Sequence, residues 1–296
     1  MKWALIKSVL LLSAMNITCA NANTSLSCPQ VQQPPTIDGD PADDSWSRTE
    51  SVSALDAVAD IEHVMRCVHT DEYIYILASF PDTTENRQHK TQIWDEAGSR
   101  YRIGPKREDT LIFKWSMESK KVDLSLSSDD SYKADIWYWK SFRTDSQGYA
   151  DDKHQIYSAD PMSRAKKMIS RSGRRFYLSR RGDTGRSAYR SMTYASKQDN
   201  EVTGYELRRP TGSRADVIAK AQWQSGIWYV EFSRKLITGH QDDVQFVSGR
   251  RYQFGVSRYE IAGRVPDAGL ESPLFGAGEI GETLELEFVS EVATGQ

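Results

Sequence analysis

Apolar positions come in short runs broken by turn residues, and no segment keeps a 3.6-residue recurrence over several turns. Residues 73–80 (YIYILASF) are β-branched and aromatic, as in a buried strand. Residues 63–70 alternate imperfectly before them, and Asp71-Glu72 between the two runs predicts a tight hairpin. Pro81-Asp82 ends the second strand, and a polar excursion follows over 83–105. Residues 110–117 (TLIFKWSM) and 134–141 (ADIWYWKS) read as the third and fourth strands. The stretch 158–214, rich in Arg, Ser and Gly, predicts long loops with short strands. Strands resume at 215–223, at 226–232 after a turn at Gln224-Ser225-Gly226, and at 245–247, 252–259 and 283–289. Helical turns are expected only around 45–55 and 161–169. In the entry stretch the turn Asp38-Gly39-Asp40-Pro41 precedes Trp46, expected to plug one end of the fold. The expectation is all-β: a β-sandwich with long loops and one or two short helices.

The N-terminus reads as an export signal. Lys2 and Lys7 precede an apolar run, and Ala20-Asn21-Ala22 supplies a small-x-small cleavage site. The expected organisation is a signal peptide at 1–22 and a single β-sandwich domain over 23–296. No later run approaches the roughly 20 apolar residues of a membrane span. The leader carries two lysines and no acid, so its removal takes the formal charge from -3 to -5. That mild acidity argues against nucleic acid, leaving the Arg-rich stretch 164–190 as a local exception that would suit an acidic redox partner. Of three cysteines, Cys28 and Cys67 remain after cleavage, and an even pair in an oxidising compartment reads as a disulfide.

No Gly-x-Ser-x-Gly, His-Glu-x-x-His or Gly-rich phosphate loop occurs, and no two carboxylates are singled out as a glycosidase pair. A binding protein rather than an enzyme is therefore expected. Its candidate site is the aromatic belt Trp115, Trp137, Tyr138, Trp139 and Phe142, suited to a flat cofactor or a sugar. Strand alternation puts Trp137 and Trp139 on one face and Ile136, Tyr138 and Lys140 on the other. If both faces are buried, Lys140 needs a partner or a metal to offset its desolvation. Met117 ends an apolar strand, where a thioether is ordinarily packing.

Two stretches carry a family resemblance. ADIWYWKSFRTDSQGYADDKHQ (134–155) is similar to the "D-(I/V)-W-x-W-K-x-x-R…G-x-A-D-D" segment of the haem-binding (gamma) subunit of ethylbenzene dehydrogenase, a periplasmic haem b domain of the DMSO-reductase type of enzyme. WQSGIWYVEFSRKLITGHQDDVQF (223–246) resembles that family's "W-x-x-G-x-W-x-(V/L)-E-F-x-R-x-L-x-T…D-V-x-F" segment, extended by YQFGVSRY (252–259). FPDTTE (80–85) looks like its "W-P-D-x-T". The resemblance implies a periplasmic immunoglobulin-like or DOMON-like sandwich holding one haem b non-covalently. It also implies electron transfer with molybdenum and iron–sulfur subunits or another redox partner. The family's iron is held by a methionine with a lysine or histidine; strand order matches Met117 to the methionine. Relatives carry the second ligand after the YxFGV strand, where this chain has Arg264 but neither Lys nor His. Arginine stays protonated and is a poor ligand; Lys140, with His154 as the alternative, is the replacement nearest the matched motifs, and otherwise the second ligand lies elsewhere, the haem is five-coordinate or this branch has lost haem. Trp115, Trp137, Tyr138, Trp139 and Arg143 would complete the pocket. The rival expectation is a carbohydrate-binding sandwich without haem, using exposed aromatics.

Overall fold

The computed structural model describes residues 25–56, 61–259 and 284–289. The expected signal peptide at 1–22, and Arg264 with its segment, lie outside the described residues. The strands are β1 (Ser25–Pro29), β2 (Val52–Asp56), β3 (Ile61–His69), β4 (Tyr73–Pro81), β5 (Gln92–Asp95) and β6 (Arg100–Ile103). Then come β7 (Thr110–Ser116), β8 (Tyr132–Lys140), β9 (Asp151–Ser158), β10 (Lys166–Ile169), β11 (Arg175–Gly182) and β12 (Tyr189–Ser191). Finally come β13 (Glu201–Val202), β14 (Tyr205–Leu207), β15 (Ile218–Gln224), β16 (Ile227–Lys235), β17 (Arg251–Tyr259) and β18 (Leu284–Val289). One sheet has eight strands in the order β1-β18-β17-β7-β8-β9-β11-β10, and the second has five, β15-β16-β4-β3-β2. Two small sheets, β13-β5-β6 and β12-β14, flank them. The fold is an all-β sandwich; the helical content among the described residues is three short 3-10 turns.

The sandwich core follows from alternation. Leu111, Phe113 and Trp115 of β7 and Trp137 and Trp139 of β8 face Ile76 and Phe80 of β4 and Trp228 and Phe232 of β16. Trp139 meets Trp228 at 5.1 Å and Phe113 meets Phe232 at 5.2 Å between ring centres, both edge-on. Such pairs add about 0.5–1.5 kcal/mol beyond the area they bury. The residues between these are also buried. Ile112, Ile136 and Tyr138 pack outward under Val122, Leu124, Leu126, Phe176 and Leu178 as a second core. The outer face of the five-stranded sheet is covered by the entry stretch, where Val31 and Trp46 meet Val68, Tyr75 and Leu77.

The hairpin turn Ser225-Gly226 has positive φ at both residues, 51° and 83°. That is the geometry of a two-residue turn whose twist matches the strands it joins. Cys28 of β1 is bonded to Cys67 of β3, so the disulfide links the two sheets.

Four local expectations are corrected. Residues 245–247 are loop, because the Gln245 side chain accepts from the Thr238 and Gly239 N–H groups and holds the segment as an irregular turn. The segment 161–169 forms no helix; it supplies β10, which borrows its pairing from β11. Trp46 plugs no end of the sandwich but lies on an outer face, its indole N–H donating to Glu231 at 2.8 Å. The polar excursion 83–105 contains the β5–β6 hairpin, whose half-exposed residues carry no buried-strand signature.

Candidate cofactor site

The outward face of β8 ends in a closed polar cluster. Lys140 is buried, and its Nζ donates to Asp151 Oδ2 at 2.6 Å and to the Tyr189 hydroxyl at 3.1 Å. It also lies 4.1 Å from the centre of the Tyr138 ring. Burial lowers the ammonium to about 8, with Asp151 acting in the opposite direction. Burial alone would raise Asp151, but Lys140, Lys153 and Arg214 hold it well below the usual carboxylate range. Arg143 is clamped by Glu108, whose carboxylate also accepts from the Phe142 and Arg143 backbone N–H groups at 3.0 and 2.9 Å. Its guanidinium stacks over Tyr189 and Tyr205 at 4.8 and 5.0 Å. Lys140 thus has the partner that its burial demands, and that partner is a carboxylate of the chain itself.

Met117 lies at the other end of the same pair of strands. Thr110 is opposite Lys140 and Ser116 opposite Ala134, while the Met117 N–H donates to Lys133 O. Seven residues of strand separate Met117 from Thr110, roughly 20 Å at 3.3 Å per residue. Met117 and Lys140 are not brought together. His154 is: it pairs with Asp135 on β8, one step from the Met117 end. Met117 and His154 line one cavity of about 500 Å³, with Lys133, Ile156, His240 and Asp242 among its walls. The Nδ1 of His154 is held by Asp183 Oδ1 at 2.6 Å, which raises its pKa, and His240 is raised likewise by its bond to Asp216. Met117 also borders a second cavity of about 610 Å³ with a basic rim of Lys120, Lys121, Arg250 and Arg251.

Trp115, Trp137 and Trp139 are sandwich core, fully buried, and line neither cavity. The large apolar side chains exposed among the described residues are aliphatic, such as Leu55, Ile103 and Ile169. The site residue that sequence reasoning passed over is His240. Its signal was its place in the second matched segment, four residues before Val244.

The donor set can be tested against a haem b. A thioether and an imidazole on one cavity are ligands that haem iron takes in pairs. An imidazole oriented through Nδ1 by a carboxylate presents Nε2 to a metal. The volume is that of ordinary cofactor sites. Met117 and His154 are therefore donors of the kind the group takes, on a wall that is otherwise mostly polar, whereas Lys140 is engaged elsewhere.

Among solved structures the chain is similar to a carbohydrate binding module family 9 from Caldicellulosiruptor kristjanssonii in complex with glucose. The match has 11% identity and a TM-score of 0.41, covering 92% of this chain and 99% of that one. The same module with cellotriose gives 11% identity and a TM-score of 0.40, over 92% and 97%. No curated protein matches the chain. The family model described as ethylbenzene dehydrogenase matches residues 47–263. That span runs from the entry stretch through β17 and takes in both motif segments, the Met117–His154 cavity and the Lys140 cluster, so the chain belongs to the ethylbenzene dehydrogenase family.

Proposed function

We propose that the protein is an exported haem b carrier that transfers electrons as a subunit or partner of a multi-subunit oxidoreductase. The observation that carries this reading is the convergence of Met117 and His154 on one cavity in a chain of this family. Met117 and His154 would hold the iron, and Asp183 would orient His154. Bound haem supplies one-electron chemistry; the residues around it bind and orient it. Lys133 offers a cation to an acidic edge of the cofactor. Met117 and Ile156 are the apolar side chains of the wall, so retention depends chiefly on the two ligands. The disulfide supports an oxidising compartment, the periplasm being the one proposed. No helix among the described residues is long and apolar enough to cross a membrane.

The test is the absorbance spectrum of the full chain produced with haem supplied. A Soret band that shifts on reduction is expected, and Met117→Ala and His154→Ala should each lose most of the bound haem. Asp183→Asn should weaken haem retention by about 10–100-fold. A colourless wild-type protein would sink the proposal, and tryptophan emission that answers to glycans would then favour the sugar-binding alternative.

A further inference from the structure

Behind the cavity wall lies a group of carboxylates that the haem reading does not use. Asp135 of β8 and Asp152 of β9 come from the eight-stranded sheet, while Asp243 comes from the loop after β16 of the other. One oxygen of each lies within 4.8 Å of the others, and all three residues are buried. Asp135 Oδ2 is engaged: Arg234 Nη1 donates to it at 2.5 Å and the Val244 N–H at 3.0 Å. Asp152 differs. It is 0% exposed, and neither of its oxygens has a hydrogen-bond partner. The second oxygen of Asp135 is likewise without one.

A carboxylate with both oxygens bare inside a protein is costly unless something positive meets it. Arg234 is the guanidinium in contact with the group, turned to Asp135 and to the Val244 carbonyl, and His240 Nδ1 lies 3.8 Å from Asp243 Oδ2. Burial raises the pKa of all three acids, so with no ion present they hold protons; ionised together they outnumber the guanidinium, an excess of negative charge that a dication offsets. The donors are all oxygen, the preference of hard ions such as calcium and not of zinc or copper.

We propose that Asp135, Asp152 and Asp243 form a binding site for a hard divalent cation of the calcium class. Asp152 supplies up to two oxygens to the ion, Asp135 its Oδ1 and Asp243 its carboxylate, with water completing the shell. The ion joins β8 and β9 to the opposite sheet through the loop 236–250. Residues of that loop wall both cavities: Asp242 and His240 the first, Asp243 and Gln245 the second. Cation binding therefore sets the cavity wall, and it does so whether or not haem is carried.

The experiment uses the full chain, stripped with a chelator and prepared with and without haem supplied. Calcium is titrated calorimetrically, with magnesium and zinc as comparisons, and thermal midpoints are recorded. One calcium per chain is expected, with a midpoint that rises with calcium concentration as binding to the folded state requires. Asp152→Asn should abolish both effects while folding with a calcium-free midpoint no lower than wild type, since without the ion burial raises the Asp152 pKa well above the usual carboxylate range and the amide replaces a neutral acid of the same shape. Absence of binding and of any midpoint shift in the wild type at millimolar calcium overturns the proposal and leaves the carboxyls protonated. Equal binding by the Asp152→Asn variant overturns it too. A result in the haem-free protein stands apart from the fate of the haem reading.

Discussion

Glu231 shows how one buried side chain can fix a whole segment. It sits on β16 facing outward, and its carboxylate accepts from the Gly39 N–H at 2.7 Å, the Asp38 N–H at 3.0 Å and the Trp46 indole at 2.8 Å. Burial pushes its pKa up to about 7, while those three donors pull it down. Glu231→Gln exchanges an acceptor for an amide that must point N–H groups at N–H donors. A loss of about 1.5–3 kcal/mol is expected by urea unfolding at a pH where Glu231 is ionised, the range for hydrogen bonds to a charged group; a loss under half a kcal/mol would remove the clamp. Gly39 belongs to the same contact. Its φ is 89°, and a Cβ there would meet the Ala221 carbonyl carbon and the Gln222 nitrogen at 2.6 Å. Gly39→Ala should therefore destabilise by at least about 1–2 kcal/mol through φ alone, plus the clash. His89 gives a pH signature. Burial, then Arg143 and neighbouring cations, lower its imidazole to about 2. The unfolded chain takes up this proton near pH 6.5 and the folded chain does not, so the associated stability is complete above that pH. It falls by about 1.4 kcal/mol per unit as the solution is acidified below it. Stability of wild type and His89→Gln should diverge between pH 7 and pH 5; parallel curves would exclude His89 as the cause.

At the scale of strands, the run 134–141 was legible to the level of alternation. Which residues share a face follows from the pleat, and Trp137 and Trp139 do go together into the core. That the other face is also buried was not legible, because its cover comes from Val122, Leu124 and Leu126, a segment without strand or helix periodicity. The need of Lys140 for a partner could be read from its neighbours, but Asp151 as that partner depends on how β9 is registered against β8. Register also explains the proposed second ligand. Tyr138 pairs with Asp151, so His154 falls three steps further along, beside Asp135 and toward Met117. One-dimensional proximity to WYWK favoured Lys140, and antiparallel folding reverses the order. Lys140→Met should accordingly leave the haem spectrum in place while lowering stability; loss of the Soret band with the fold intact would return Lys140 to the site. The buried acids fall within the adjacent pairs Asp151-Asp152 and Asp242-Asp243, but nothing local says that β9 and the loop after β16 meet.

For the molecule as a whole, the disulfide ties the two sheets together covalently. It joins residues 39 apart across the two sheets, and closing such a loop in the unfolded chain is worth about 2–4 kcal/mol. The double change Cys28→Ser and Cys67→Ser should lower the unfolding free energy by that amount with little change in the folded spectrum. Unaltered stability would mean the sheets hold together without it. Charge is distributed less simply than the sequence suggests. Within the basic stretch Arg171 is paired with Asp123, Arg174 with Asp129 and Arg190 with Glu206, all at exposed positions where each pair is worth little. Docking of an acidic partner through these groups would compete with carboxylates of the chain and would weaken with salt. The rest of that charge has another use. The eight-stranded sheet ends at β10, whose far side has no strand beside it among the described residues, and its exposed residues include Lys166 and Lys167. A second chain laying its own β10 along this border would bring two more lysines to a strand that already carries two. Charge at the border disfavours growth of the sheet on that side.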